Sequence, residues 1–229
     1  MAATNLPDGI TNANVETVFG QMMFPDPTLF HTYFNDFDTY VAGDWVVTET
    51  DSAATQALTA GNNGLLLLTN TATENDLLLL QKTPAAFAMT AGKKAWFSIR
   101  FQSNDVDEND YIAGLVIVDT TPFDATDGIY FQSDDGSSSV SIICRKNATT
   151  GSTSAVVGTI ADATNVALQW YYDGAGKLYY GKDGTPVGVI DVANYLPDAT
   201  NLTVTFGIQA GEAAANTMTV DYVLAAVER

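Results

Sequence analysis

The chain has 229 residues, with 27 acidic against 9 basic side chains, a net charge of −18, one cysteine and one histidine. That balance excludes a nucleic-acid binder, whose phosphate contacts need clustered Lys and Arg, and argues equally against docking on anionic lipid. One Cys and one His exclude disulfide frameworks, zinc sites and most nucleophile–base pairs, while 46% hydrophobic residues suffice for a packed core.

Residues 1–33 read as an N-terminal arm. They carry Pro7, Pro25 and Pro27 and an apolar island of Val18, Phe19, Met22, Met23 and Phe24. Asn14–Met23 has the makings of a short helix that Pro25 ends. So short a segment builds no core, so its apolar residues must lie against the body or against another molecule. Phe19, Met22, Met23 and Phe24 are therefore the candidate partner-binding residues. Residues 1–9 lack a basic start followed by an apolar run, so no secretory signal is expected there. The sequons at Asn147 and Asn201 are accordingly expected to stay unmodified.

From residue 34 onward the chain reads as one all-β domain. Short apolar runs are divided by Asn, Asp, Gly and Thr clusters, the punctuation of strands and turns. Strands are expected near 45–50, 64–69, 76–82, 94–102, 113–118 and 128–132. Further strands are expected near 140–146, 155–160, 167–172, 177–182, 187–191, 202–209 and 217–227. Ala95, Phe97, Ile99 and Phe101 alternate with polar residues, as do Val204, Phe206 and Ile208, which marks half-buried strands of two packed antiparallel sheets. The quartets Leu65–Leu68 and Leu77–Leu80 do not alternate, so both faces of those strands are expected to be covered. Both are far shorter than the roughly 20 residues of a membrane-spanning helix. Asp173-Gly174-Ala175-Gly176 and Asp183-Gly184 supply the positive φ angles of tight hairpins.

Chemistry is sparse along this body. Asp105, Asp107, Glu108 and Asp110 form one acidic group and Asp134 with Asp135 another, both in surroundings that read as solvated loops. The Glu-x-Asp-x-x-Glu pattern of sandwich-fold glucanases is absent from the chain, so a glycosidase is not expected. Asp105-x-Asp107-x-Asn109 spaces three oxygen ligands as calcium loops do. However, Asp110 and Val116 stand where an EF-hand needs Gly and Glu, so a solvated acidic loop is the stronger reading and no metal is assigned. His31, without a second His, reads as a packed or surface residue, and Cys144, alternating with Ile142, as an inert buried thiol. Trp170, Tyr171, Tyr172, Tyr179 and Tyr180 fall on two facing strands. Exposed aromatics of this kind stack on sugar rings, yet alternation sends about half of them into the core, where cross-strand packing accounts for them.

Three segments, Phe34–Tyr40 with Asp44-Trp45, the hairpin Gln169–Gly184, and Thr219–Val223, together resemble a concanavalin A-like (laminin-G-type) β-sandwich. More narrowly, they resemble virion structural proteins of tailed bacteriophages that decorate the capsid. The resemblance covers residues 34–229. It implies a two-sheet antiparallel jelly-roll sandwich and a non-enzymatic cement protein, with no cofactor, on the exterior of a phage shell. Its partner would be the major capsid protein, its assembly would take place in the host cytoplasm, and it would often be a trimer. The other reading is a carbohydrate-binding module or head fibre contacting host glycans, and a third, a sandwich-fold hydrolase, lacks a converging set of acids.

Overall fold

The structure, a computed structural model, describes residues 27–61, 64–148 and 153–229. The expected island of Phe19, Met22, Met23 and Phe24 lies outside the described residues. Among the described residues the chain forms fifteen strands and no α-helix. In order they are β1 (Phe30–Asn35), β2 (Trp45–Glu49), β3 (Thr55–Thr59), β4 (Leu65–Thr69) and β5 (Leu77–Lys82). Next come β6 (Ala95–Ser103), β7 (Asn109–Val116), β8 (Gly128–Ser133), β9 (Ser139–Arg145) and β10 (Thr153–Thr159). The chain closes with β11 (Val166–Tyr172), β12 (Lys177–Lys182), β13 (Thr185–Asp191), β14 (Thr203–Ala210) and β15 (Thr217–Glu228).

Two antiparallel sheets face each other. The first runs β13-β12-β11-β6-β15-β4-β3, with β1 paired to the C-terminal half of β15; the second runs β10-β9-β8-β7-β14-β5-β2. Alternation builds the core. Phe97, Ile99 and Phe101 of β6 and Trp170 of β11 point inward to meet Tyr111, Phe131 and Phe206 of the second sheet, all nearly free of solvent. Phe101 meets Tyr111 across the gap in a tilted contact at 5.7 Å, and within the second sheet Trp45 meets Phe206 edge-on at 5.3 Å. The Asp183-Gly184 turn joins β12 to β13 with both residues at positive φ (52° and 74°), the two-residue geometry that continues the strand twist.

Three expectations are corrected. The strand Phe30–Asn35 pairs residue for residue with Glu228–Val223, so the sandwich takes up the chain before the boundary drawn at residue 34. Its mixed sequence, Phe-His-Thr-Tyr-Phe-Asn, has no clean alternation. His31 and Tyr33 face inward, with His31 on the Phe87 ring at 4.8 Å. The strand Thr55–Thr59, almost wholly exposed, was not foreseen either, because an edge strand needs no buried face. Finally, only the second Leu quartet is covered on both sides: Leu77–Leu80 are all buried, whereas Leu65 and Leu67 are half-exposed.

The double burial of β5 has a specific cause. Leu78 and Leu80 face the main core, and Leu77 and Leu79 face outward. There they join Ile112, Val116, Ala125 and Tyr130 in a second apolar cluster, with Phe123 and Ile143 packed on it. The segment between β7 and β8, with a 3-10 turn at Pro122–Asp124, lies over this face. Gln81 pins it, donating from Nε2 to the Ile117 carbonyl at 3.0 Å and accepting the Asp119 N–H at 3.0 Å. Arg145 adds a bond to the Ala125 carbonyl at 3.1 Å.

Candidate functional site

Of the five aromatics in the β11–β12 hairpin, Trp170, Tyr172 and Tyr180 are buried and Tyr171 and Tyr179 face outward. Trp170 stacks on Phe97 at 6.0 Å, which removes it from any sugar platform. Tyr171 and Tyr179 are direct cross-strand partners, their ring centroids 6.1 Å apart and their planes inclined by 31°. Trp96 follows Tyr171 across β6 on the same outer face but is 7% exposed. Two half-exposed tyrosines thus form an outward aromatic pair on the first sheet, where Phe34 and Tyr222 form another with centroids 6.4 Å apart. Burial and then the Asp173 charge push the Tyr171 hydroxyl above the usual phenol range, so it stays a neutral hydrogen-bonding group.

The two acidic groups named from the sequence come together with Asp162. Asp105, Asp107 and Asp162 bring carboxylate oxygens within 4.8 Å of one another, and Asp162 accepts the Val106 N–H at 2.9 Å. Asp162 lies more than fifty residues along the chain, so no local spacing signals it. Asn109, expected as the third oxygen, is instead buried, with Nδ2 donating to the Asp105 carbonyl at 2.5 Å. Desolvation and the neighbouring Asp107 raise the pKa of Asp105. These are carboxylates held close by the fold, and the mutual repulsion is their clearest physical consequence.

Asp110 is half-buried at the start of β7, where its Oδ1 accepts the Asp135 N–H at 2.5 Å. Burial first, then the charges of Asp134 and Asp135, push its pKa up to about 6. The two acidic groups expected from sequence are therefore neighbours: the Asp107 carbonyl accepts the Gly136 N–H at 2.6 Å, and the Glu108 carbonyl that of Gly211 at 2.8 Å. Cys144 is buried as expected, its thiol pushed up to about 12 by desolvation and donating to the Tyr195 carbonyl at 3.2 Å.

On the outer face of the second sheet, β8, β9 and β10 carry a groove of about 320 Å³. Its walls include Gln132, Asp134, Ser139, Ser141, Ile143 and Ser154. Sequence reasoning passed over it, because serines on alternate strand positions read as ordinary solvated residues.

No protein-family model matches the sequence, and no curated protein matches it. Solved structures do. An endo-1,3-β-glucanase from Streptomyces sioyaensis superposes with a TM-score of 0.65 over 90% of this chain and 99% of its own, at 13% identity. Peanut lectin gives 0.55 over 87% and 97%, at 14% identity. A carbohydrate esterase of the Shiga toxin-encoding bacteriophage phi24B gives 0.50 over 81% and 90%, at 12% identity. The fold is the concanavalin A-like β-sandwich. At such identities the likeness speaks for the fold alone, since one sandwich carries lectins and hydrolases alike.

Proposed function

We propose that this protein is a non-enzymatic virion structural protein that decorates and stabilises a phage capsid. Its body would lie on the shell exterior and its N-terminal segment would contact the major capsid protein. The observation that carries this reading is the apolar edge where the described chain begins. Leu29 just before β1 and Phe34 on it are 60% and 50% exposed. They lie within eight residues of the point at which residues 1–26, with Phe19, Met22, Met23 and Phe24, join the body. A self-repelling acidic body with a local apolar edge suits a subunit present in many copies, where symmetry multiplies weak contacts. Over β5, β7 and β8 the outer face of the second sheet is capped by the segment between β7 and β8, with Leu77, Leu79 and Tyr130 beneath it, which adds support for a non-catalytic role on those strands.

The deciding measurement is the copy number of this chain in purified particles, by quantitative mass spectrometry against the major shell protein. Hundreds of copies in simple ratio to the shell subunit are expected, and absence from particles overturns the reading. Deleting residues 1–26 should abolish attachment and leave the fold intact. A deletion through residue 33 is the wrong variant, because it removes paired residues of β1. Light scattering tests the trimer that the resemblance implies.

A second reading, glycan binding at a host surface, is favoured by the outward Tyr171–Tyr179 pair. It requires saturable glycan binding that is lost in Tyr179→Ala. Release of new reducing ends from a bound polysaccharide would overturn the non-enzymatic assignment in both readings.

A further inference from the structure

The groove on β8–β10 has an unusual chemical balance. Gln132 donates from Nε2 to Asp134 at 2.9 Å, while its Oε1 is buried without a hydrogen-bond partner. An unpaired buried acceptor costs about 1–3 kcal/mol, so a turn of the Gln132 amide that brings this oxygen to a ligand hydroxyl in the groove is favoured. Serine hydroxyls from Ser137, Ser139, Ser141 and Ser154 line the rest, with Ile143 as an apolar element. Val156 pairs with Ser141 across β9 and β10, so it shares that face, and it is 62% exposed.

These walls discriminate among ligand classes. They include no Lys or Arg, and Asp134 repels an anion. One carboxylate among neutral hydroxyls supplies too little negative charge to hold a calcium ion, whose sites draw on several carboxylates. An apolar molecule would strip water from the serines and the amide without replacing their hydrogen bonds. A neutral polyhydroxylated ring meets every requirement: hydroxyl donors for Gln132 Oε1 and Asp134, acceptors for the serines, and a C–H face for Ile143 and Val156. The volume lies at the small end of ligand pockets, about 300–1,000 Å³, which suits one or two rings.

We propose that this groove binds a neutral hexose unit, free or within a polysaccharide. The site lies on the opposite sheet from the Tyr171–Tyr179 pair and does not depend on it.

Amide NMR of the full chain, titrated with maltose, cellobiose and lactose and in parallel with soluble laminarin, tests this. Saturable shifts confined to Gln132, Asp134, Ser139, Ser141, Ile143 and Ser154 are expected with at least one sugar. Shifts with the disaccharides identify recognition of a short or terminal unit, and shifts with laminarin alone identify recognition within a polymer. Ser141→Phe, which fills the groove from an outward position, and Gln132→Ala, which removes the acceptor without adding bulk, should each weaken binding by about tenfold or more. Tyr179→Ala should leave it unchanged. Near-ultraviolet circular dichroism establishes that each variant is folded. The proposal is overturned if no probe gives a saturable shift, or if both groove variants bind like the parent. If the shifts move to Tyr171 and Tyr179, the groove is overturned while the glycan reading at that pair stands. Particle stoichiometry decides the decoration reading separately.

Discussion

Asp110 is the side chain whose protonation the fold alters most legibly. Its pKa near 6 exceeds that of an unfolded chain's aspartate, about 3.9, because burial and the Asp134 and Asp135 charges disfavour the ionised form. A raised folded-state value means that the folded chain takes up this proton first. The stability linked to it is fully present below about pH 4 and is lost as the pH rises through about 6. Asp110→Asn should therefore raise the melting temperature at about pH 7.5, and the gain should shrink towards about pH 4.5. Thermal unfolding at the two pH values checks this, and an equal gain at both would remove the electrostatic assignment. Trp170 and Tyr179 make a second residue-scale test. Trp170, fully buried against Phe97, should cost about 3–5 kcal/mol on replacement by Ala, and outward Tyr179 about 1 kcal/mol or less, both read from denaturant unfolding. The composition of this hairpin announced an aromatic cluster. Which ring faced which way followed from alternation once the phase of the strand was known.

At the scale of the element, β14 shows how close the backbones lie. A Cβ built at Gly207 would sit 2.4 Å from the Leu78 carbonyl oxygen and 2.8 Å from the Leu79 Cα on β5. Those are backbone atoms that no rotamer can move. Gly207→Ala should destabilise the protein by about 1–3 kcal/mol, measurable as a lower denaturation midpoint with unchanged slope. The strands β6 and β14 were readable from their alternation, although their expected half-burial is corrected: Trp96, Ser98, Thr203 and Thr205 on the outward faces are buried too. The strands β1 and β3 were not readable: β3 exposes nearly every side chain, and β1 exists because β15 offers an unpaired stretch to receive it. The bulge on β15 between Val220 and Tyr222 was equally silent. It turns Asp221 aside to pair with Arg100, an ion pair with no local sequence signature.

Across the whole molecule, repulsion dominates the electrostatics. A net charge of −18 is set against three ion pairs among the described residues: Arg100–Asp221, Lys146–Asp198 and Lys177–Asp191. Raising salt from about 0.01 M to about 1 M shortens the screening length from about 30 Å to about 3 Å. The expected result is a higher melting temperature in high salt, because more repulsion than attraction is screened. A fall would mean that the few ion pairs outweigh the acidic surface.

Composition and two-residue periodicity by themselves determined an all-β sandwich, its central strands, its hairpin turns and an acidic, self-repelling surface. They could do so because these properties depend on neighbours within a few residues. Only the tertiary structure decided the rest. It brought Asp162 to Asp105 and Asp107, laid the segment before β8 over Leu77 and Leu79, paired β1 with β15, and gathered serines from separate strands into one groove. Each of those contacts joins residues remote in sequence, whose proximity is set by sheet order and register, and a short window of sequence contains neither.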